Sequence, residues 1–498
     1  MKYIITLLIG ILSSQDTDTG TFFKSGGTTG SVGTVTINGE IYNQLSLRPE
    51  IPIGKLGVGL DIYLYFNNDG MYLKSWDFSS GGAAYRTIID KIYYLRWGQP
   101  ADNLYIMAGA LPSVTLGQGI LVNNYANIME YPQVRQIGLN LRANIAGVGV
   151  EVIHSNFKSA TPGVLGVRGS YPIMQNLSLG ASFVTDLNQL AGLPDSDGDN
   201  YPDYYDYYPN NADKWDDREE ADIAWEGFNQ VLINNGDAEL PEEDFNGWFE
   251  ESSYYNHYGP TTVKSDDISG IALDATYTLT QKITLYSQFG KLIGKIESSP
   301  DGNIDPGWGL VPIGARAKLG PVDMLAEYRF GSRKFLFNYW DRSYDLNRVV
   351  VSSDTILTRE SQLYHYGKLN GFYVNANITM MNLFNFGMGY QNMQGEKWDE
   401  VAEQYKSGES NQTFLTTIGI NPELIPKVGK AEAFYQQSNV PNPFKFTPSA
   451  STIWGYNIGV EVSAGMMLLY QARTTYVLNK LGEFEPVKSL QIETQFVF

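Results

Sequence analysis

The chain closes with LQIETQFVF, residues 490–498, and this stretch alternates between apolar and polar side chains. In an extended strand, successive side chains point to opposite faces. One face would then carry Leu490, Ile492, Thr494, Phe496 and Phe498, and the other Gln491, Glu493 and Gln495. A strand with one apolar and one polar face lies between two different environments, and the rest of the sequence indicates which two.

Composition favours a sheet protein and excludes several kinds of site. The 498 residues include 34 tyrosines and 51 glycines, while only 18% are charged, and aromatic residues fit pleated surfaces. Cysteine is absent, so the chain has no disulfides, thiolate metal ligands or cysteine nucleophile. The net charge of −19 would repel a phosphate backbone, which excludes nucleic acid as an expected partner.

The N-terminus resembles an export signal. Lys2 precedes an apolar run from Tyr3 to Leu12, followed by Ser13 and Ser14, so residues 1–14 are predicted to be a signal peptide and 15–33 an N-terminal segment. A buried strand or helix is the alternative. No later apolar run reaches the roughly 18 residues of a membrane helix. Any membrane crossing would therefore use strands.

The alternation of the last strand recurs over residues 34–498. In QKITLYSQFG, residues 281–290, Ile283, Leu285 and Phe289 oppose Thr284 and Gln288. Nineteen candidate strands follow this rule, among them 34–48, 87–97 and 163–172, with RPEIPIG predicted as a turn after the first. Many exceed the 5–6 residues common in soluble sandwiches and match the roughly 9–11 that cross a bilayer. Because lipid satisfies no backbone hydrogen bonds, such strands must close into a barrel.

This pattern resembles the Gram-negative outer-membrane β-barrel class, whose members typically end in an alternating strand with a C-terminal phenylalanine. The resemblance implies an all-β, transmembrane, antiparallel up-and-down barrel of about 18–20 strands in the outer membrane, with short periplasmic turns and long extracellular loops. It also implies recognition by the barrel-assembly machinery. Nineteen is an odd number, whereas such barrels usually have an even one. Either a weak strand lies in TGTFFKSGGTTGSVG, the N-terminal segment threads the lumen, or one strand is misassigned.

An acidic insertion interrupts the alternation between residues 188 and 266. Its DSDGDNYPDYYDYYPN segment resembles a calcium-binding thrombospondin type 3-like repeat, which implies Ca²⁺ ligation by Asp195, Asp197, Asp199 and Asp203, with Asp206 beside them. A solvated acidic loop without metal is the alternative. Downstream, apolar residues from Ala221 to Leu232 recur at helical spacing and Gly236 ends the run, which predicts a helix. That helix would pack on its own loop or act as a binding lid.

Charged residues on the polar faces are predicted to line the pore, since wall charges set the local potential. They are Arg48, Arg142, Lys282, Asp323, Glu327, Arg329, Glu461, Arg473 and Glu493. Their mixed signs predict weak ion selectivity with a slight cation preference. The alternative is that opposite charges pair across strands and satisfy one another, without biasing the passage of ions.

The sequence predicts a porin-like channel for passive diffusion of small hydrophilic solutes, embedded in outer-membrane lipid. It leaves open whether the protein is a homo-oligomer. A surface-exposed binding or adhesion protein, with the barrel as an anchor and the calcium loop for partner or glycan contact, is the alternative. Catalytic residues are not expected, because H-E-x-x-H, G-x-S-x-G and P-loop motifs are absent. An outer-membrane hydrolase therefore lacks a nucleophile–base signature.

Overall fold

The computed structural model is a closed antiparallel barrel of twenty strands. The residues that it describes are 27–497, except 38–39, 74–75, 129–134, 160, 194, 196–201, 204–205, 207, 210, 212–217, 240, 242–265, 297–302, 353–354, 382, 400, 422–424, 426, 450, 464–465 and 479–483. The predicted signal peptide and Phe498 therefore lie outside the described residues.

The barrel strands run in chain order around the wall, each antiparallel to its neighbours. They are β1 Gly27–Ile37, β2 Glu40–Ile53, β3 (Leu56–Leu60 and Ile62–Asn67, interrupted at Asp61), β4 Ile92–Trp97, β5 Leu104–Gly109, β6 Gly138–Ile145, β7 Val148–His154, β8 Leu165–Met174, β9 Leu177–Asp186, β10 Ile268–Thr280, β11 Ile283–Ile293, β12 Trp308–Leu319, β13 Val322–Gly331, β14 Tyr366–Met380, β15 Phe384–Asp399, β16 Gln404–Ile420, β17 Val428–Val440, β18 Ile453–Ser463, β19 Met466–Leu478 and β20 Phe484–Val497.

The final strand closes the barrel against the first. β20 pairs with β1 from Val497 opposite Thr29 to Glu493 opposite Gly33. β1 begins at Gly27, so the barrel starts earlier than the predicted residue 34. The predicted strand 34–48 is in fact parts of two strands, β1 and β2, which pair as a hairpin. The weak strand considered in TGTFFKSGGTTGSVG is therefore real, since β1 begins within that segment. It raises the number of strands from nineteen to twenty.

The outer face of the barrel is apolar. The exposed fraction is 42–59% for Leu45 and Leu47 of β2, Phe183 of β9, Leu273 of β10 and Ile313 of β12, and likewise for Leu490 and Ile492 of the closing strand. Their polar neighbours point inward, and Glu493 is only 3% exposed. An exposed apolar belt around a closed sheet is the surface of a barrel in a lipid bilayer, of the kind found in outer membranes. The predicted fold class, alternation and location are confirmed.

The two rims of the barrel differ in the length of their connections. One rim, here called the short rim, carries the tight turns 54–55, 146–147, 175–176, 281–282 and 320–321. The opposite long rim carries 68–91, 110–137, 187–267 and 332–365. Because the strand number is even, β1 begins and β20 ends at the same short rim.

Two local predictions were wrong. RPEIPIG is not a turn, since β2 continues to Ile53 and turns at Gly54. Pro52 is tolerated there because the ladder with β1 ends at Glu50, so no hydrogen bond is lost on that side. The strand predicted at 87–97 begins only at Ile92, because Gly81–Ile89 forms helix α1 at the long rim.

The insertion contains the predicted helix. α2 spans Arg218–Asn235, and Gly236 follows with φ +79°, a left-handed conformation suited to glycine at a helix end. Phe228 and Val231 are 45% and 56% exposed. The apolar residues at helical spacing therefore form a helix without all being buried. In the described parts of the chain, no helix is long and apolar enough to cross a membrane.

Candidate functional site: the barrel lumen

Two long-rim loops fold into the barrel and meet each other there. Backbone N–H groups of Trp340 and Asn338 donate to the carbonyl oxygens of Leu121 (3.0 Å) and Ile120 (2.9 Å), and the Asn123 N–H donates back to Trp340 (3.1 Å). We call the described parts of these loops, residues 110–128, 135–137, 332–352 and 355–365, the plug. Their mutual pairing satisfies backbone groups that would otherwise be buried without partners.

The plug shares one hydrophobic core with part of the wall. Tyr125, Tyr339, Trp340 and Tyr344 of the plug are completely buried. The wall residues of this core come from β7 and β9–β12, and they are Ile153, Val184, Ile268, Ala272, Tyr286, Leu292 and Val311. Aromatic side chains contribute large apolar areas when buried, so this contact fixes the plug to one side of the lumen.

A buried polar cluster also anchors the plug to the end of β9. Asp186 accepts from the Tyr344 hydroxyl (2.8 Å) and from Arg348 Nη1 (3.2 Å). The neighbouring Asp345 accepts from the Tyr125 hydroxyl at 2.6 Å, which joins the two plug loops. Burial raises the pKa of the Asp345 carboxyl, and the charge of Arg348 opposes that shift. These paired groups hold α3, Tyr344–Asn347, against the wall.

The wall itself carries buried ion pairs, both between strands and within one strand. Arg168 of β8 lies between Glu151 on one side (2.5 Å) and Asp274 on the other (2.8 Å). On β13, Arg329 pairs with Glu327 at 2.6 Å, and its Nη1 donates to Gln391 of β15 at 2.7 Å. Removing one partner of such a pair leaves an uncompensated buried charge, so loss of either residue alone should destabilise the wall.

A third charged cluster surrounds the interruption in β3. Asp61 accepts from Arg48 Nε at 3.0 Å and from Arg135 Nη1 at 2.5 Å. Arg135 and Lys91 both lie over the Tyr63 ring, at 3.7 and 3.8 Å from its centroid. Burial, followed by the charge of Arg135, lowers the pKa of Lys91 to about 8. Arg135 belongs to the plug, so this cluster is a second attachment of the plug to the wall.

The side of the lumen away from the hydrophobic core is lined by polar groups. We call the inner face of β17–β20 and β1–β3 the polar wall. Its buried polar residues are Ser31, Gln44, Ser46, Asp61, Asn457, Arg473, Thr475 and Glu493. None of these contributes to the hydrophobic core shared with the plug. The core shared with the plug therefore lies on one side of the lumen. The other side carries mainly polar side chains, together with a small apolar cluster of Val35, Tyr63 and Tyr65.

The structure places the predicted pore residues in three kinds of environment. Glu327, Arg329, Arg473 and Glu493 are buried on the inner face. Arg48, Arg142 and Asp323 are half-buried on that face, with Arg142 directly opposite Glu151 in the strand register. Two lie near the short rim: Lys282 in an exposed turn rather than in a strand, and Glu461 exposed at the end of β18.

Several lumen residues were missed from the sequence. Arg168 and Asp274 alternate with outward-facing Val167 and Leu273. The alternation of these strands could therefore have predicted that both charged side chains point into the lumen. Arg135, Arg342 and Arg348 lie in loops, where no periodicity assigns a direction to a side chain. Arg342 Nη1 donates to the Pro112 carbonyl oxygen at 3.4 Å, so this arginine joins the two plug loops.

The predicted calcium ligands are only partly within the described residues. Asp197 and Asp199 lie outside them, while Asp195 is exposed, Asp203 half-buried and Asp206 buried. Asp206 accepts from the Tyr208 backbone N–H at 2.7 Å. Among the residues that the structure describes, no group of three or more acidic or histidine side chains could hold a metal ion. Calcium binding stays a prediction.

The chain is structurally similar to several solved barrels. No family model and no curated protein matches it. Pseudomonas aeruginosa OccK3 (OpdO) is 8% identical with a TM-score of 0.38, covering 95% of this chain and 96% of that chain. P. aeruginosa OccK11 (OpdR) is 10% identical with a TM-score of 0.33, covering 95% of both chains.

Another similar structure is Wzi from Escherichia coli, described as a carbohydrate-binding β-barrel involved in group 1 capsule assembly. It is 10% identical with a TM-score of 0.31, covering 95% of this chain and 83% of Wzi. At TM-scores this low, these similarities carry no argument about function, which therefore depends on the lumen itself.

Proposed function

We propose that this protein is an outer-membrane channel for passive diffusion of small hydrophilic solutes. One observation supports this most strongly: the hydrophobic core of the plug packs against β7 and β9–β12, whereas the polar wall remains outside that core. The solute path would follow the polar wall past the plug, and no residue would perform covalent chemistry. A barrel of this size has room for both a folded loop and a path beside it.

The plug would set the width of the path. It is attached through Arg348 to Asp186 at the end of β9 and through Arg135 to Asp61 at the interruption of β3. A constriction held at several points keeps a fixed shape, which favours discrete conductance levels over gradual leakage. Charges along the path, such as those of Arg48 and Glu493, 3.6 Å apart, partly cancel one another.

Single-channel recording in planar bilayers tests the proposal. The purified full chain should give discrete current steps that increase in proportion to salt concentration. Absence of current steps, together with calcium-dependent glycan binding, would instead support a surface-binding protein anchored by its barrel. The matched control is the same protein heat-denatured in detergent, which should give no steps because an open sheet cannot span lipid.

We also propose that the acidic insertion binds Ca²⁺ through Asp195, Asp197, Asp199 and Asp203, with Asp206 supporting the loop. Aspartates on alternate residues around Gly198 can direct several oxygens at one ion. Calorimetric titration with CaCl₂ should give one site that is lost in Asp197→Asn/Asp199→Asn. The control variant Asp216→Asn/Asp217→Asn lies outside the repeat and should leave binding unchanged. Equal binding by both variants would contradict the proposed ligands.

Assembly is a further proposal. The closing strand β20 lies at the barrel seam, where it pairs with β1. Recognition of this strand by the barrel-assembly machinery would allow β20 to be positioned before the seam closes. Deletion of residues 490–498 should then prevent insertion into reconstituted membranes that contain the machinery.

A further inference from the structure

One long-rim loop, between β17 and β18, folds outward, unlike the plug loops. We call its described residues, 441–449 and 451–452, the outer loop. The Phe444 ring of this loop has its centroid 5.5 Å from that of Tyr390 and 5.1 Å from that of Phe414. Tyr390 and Phe414 are register partners on the outer face, which Phe414 shares with Ile418, 43% exposed. The outer loop therefore covers the outside of the wall.

Hydrogen bonds fasten the outer loop to the wall at both of its ends. Gln437 of β17 faces outward, yet it is only 1% exposed because the loop covers it. Its Nε2 donates to the Thr447 carbonyl oxygen at 2.6 Å and to Thr452 Oγ1 at 3.0 Å. Gln412 Nε2 of β16 donates to the Pro441 carbonyl oxygen at 3.0 Å. Outward-facing amides that lipid could not satisfy are thus satisfied by the loop, which fixes its position.

The outer loop presents two aromatic rings with a cation between them. Phe444 and Phe446 are 50% and 60% exposed, and Lys445 is exposed as well. Lys445 is also the only charged residue in the segment 437–456. Phe446 has φ +52°, a left-handed conformation that is unfavourable for a residue with a side chain, and its ring lies 5.4 Å from that of Tyr435. The fold therefore holds an exposed ring in place against a local backbone preference.

The surface around the outer loop is the lipid-facing belt of the barrel. Trp454 is the register partner of Tyr435 and is 39% exposed on the outer face. Tyrosine and tryptophan at such positions are typical of the boundary between lipid and water. Phe444 and Phe446 extend this apolar surface outward without a break, so lipid is the medium that they meet. Lys445 supplies the charge that attracts an anionic lipid headgroup.

We propose that the outer loop binds a lipid that carries a phosphate group. Phe444 and Phe446 pack among the acyl chains, and the Lys445 ammonium group pairs with the phosphate. The hydrogen bonds of the loop hold these three side chains on one rigid support before the lipid arrives, which reduces the entropy lost on binding. The site lies outside the lumen, so it is a second activity that does not depend on the proposed solute path.

Two short-chain lipids that differ only in the phosphate test the site. The full chain in detergent is titrated with dioctanoyl phosphatidic acid and, separately, with dioctanoylglycerol, and bound lipid is counted by native mass spectrometry. Wild type should prefer phosphatidic acid, and Lys445→Gln should reduce that preference roughly fivefold. Phe444→Ala/Phe446→Ala should weaken the binding of both lipids. Absence of a preference in wild type, or an equal preference in Lys445→Gln, would overturn the site.

Lys282→Gln and Phe289→Ala are the matched controls. Lys282 lies in an exposed short-rim turn, and Phe289 is an outward ring of β11 that is 37% exposed beside Trp308. Both variants should keep the wild-type preference, and its loss in either would contradict binding at the outer loop. Each variant is first shown to be folded by its heat-dependent migration in detergent gels. If the double phenylalanine variant does not fold, Lys445→Gln decides the test, because its side chain is exposed.

The same variants separate lipid from other occupants of the outer loop. Inorganic phosphate should not displace bound phosphatidic acid, and displacement would show a site for the free anion instead. Sedimentation in detergent should give wild type and Phe444→Ala/Phe446→Ala the same mass. A dimer that only the double variant dissociates would overturn the lipid site in favour of a contact between two copies of the chain. None of these results depends on whether the protein conducts, so the channel and the lipid site can fail separately.

Discussion

Single residues in the lumen are held by close packing around buried charges, and Gly180 shows this most clearly. A Cβ atom at Gly180 would collide with Arg168 Nη2 and Asp274 Oδ2, so the absence of a side chain makes room for the ion pair. A Cβ atom added at Gly169, on the neighbouring strand, would instead point into open space. Glycine is thus required at one site and dispensable at the other.

Gly180→Ala should therefore lower the free energy of unfolding by roughly 1–3 kcal/mol, because a methyl group forces the ion pair apart. Gly169→Ala, the control, should change it by less than about 0.5 kcal/mol. Urea titration of the refolded barrel in lipid vesicles measures the free energy of unfolding of each variant. Equal effects of the two substitutions would contradict the packing around Arg168.

Lys91 makes stability depend on pH. Its pKa of about 8 in the folded protein lies below that of an unfolded lysine, about 10.4, so the unfolded chain holds the proton more tightly. The free energy of unfolding should increase as the pH rises from about 8 towards 10, and Lys91 should add no slope below that range.

Lys91→Met removes this titration. The difference in unfolding free energy between wild type and Lys91→Met should therefore change between pH 8 and 10 and stay constant between pH 6 and 7. Lys55→Met is the control, because Lys55 is an exposed residue at the short rim. A pH-independent difference for Lys91→Met would contradict the burial of the ammonium group.

Among the elements, the seam between β1 and β20 decides whether the sheet is a barrel. Gly33 lies opposite Glu493, and a Cβ atom at Gly33 would meet the Ile492 carbonyl oxygen and the Glu493 backbone. Gly33→Val should prevent closure and leave the chain without heat-dependent migration in detergent gels. Thr34→Val, which changes the exposed outer face of the same strand, should fold normally. Normal folding of Gly33→Val would contradict the seam.

The plug depends on its aromatic core. Trp340 is completely buried between the two loops and the wall, so Trp340→Ala should destabilise the plug by about 3–5 kcal/mol. We expect faster proteolysis within residues 332–365 and more frequent transitions to larger current steps. Trp97→Ala is the control because Trp97 is 44% exposed. Unchanged proteolysis and current in Trp340→Ala would show that the plug does not limit the path.

At the scale of the whole molecule, the sequence predicts the wall well and the lumen poorly. Alternation has a period of two, so it assigns Leu490 outward and Glu493 inward without knowledge of any partner. Alternation fails to detect β1, because the small residues GTTGSVG give its two faces similar polarity. It also fails at Pro52, because the hydrogen bonds between β2 and β1 have already ended there and a proline is permitted within the strand. The plug has no period at all, because its position depends on contacts such as Tyr125 with Asp345 between distant loops.

The central claim is that lipid surrounds this barrel and that solutes pass along its polar wall. The chain contains no cysteine, so single cysteines report position without background. Gln471 lies on the inner face of β19, whereas the Tyr470 ring stacks on Tyr456 on the outer face with centroids 5.9 Å apart. A charged, membrane-impermeant thiol reagent is added during current recording. Gln471→Cys should react and lower the current in one step, and Tyr470→Cys should be unaffected. Reaction at both positions, or a current insensitive to modification of Gln471→Cys, would contradict the account.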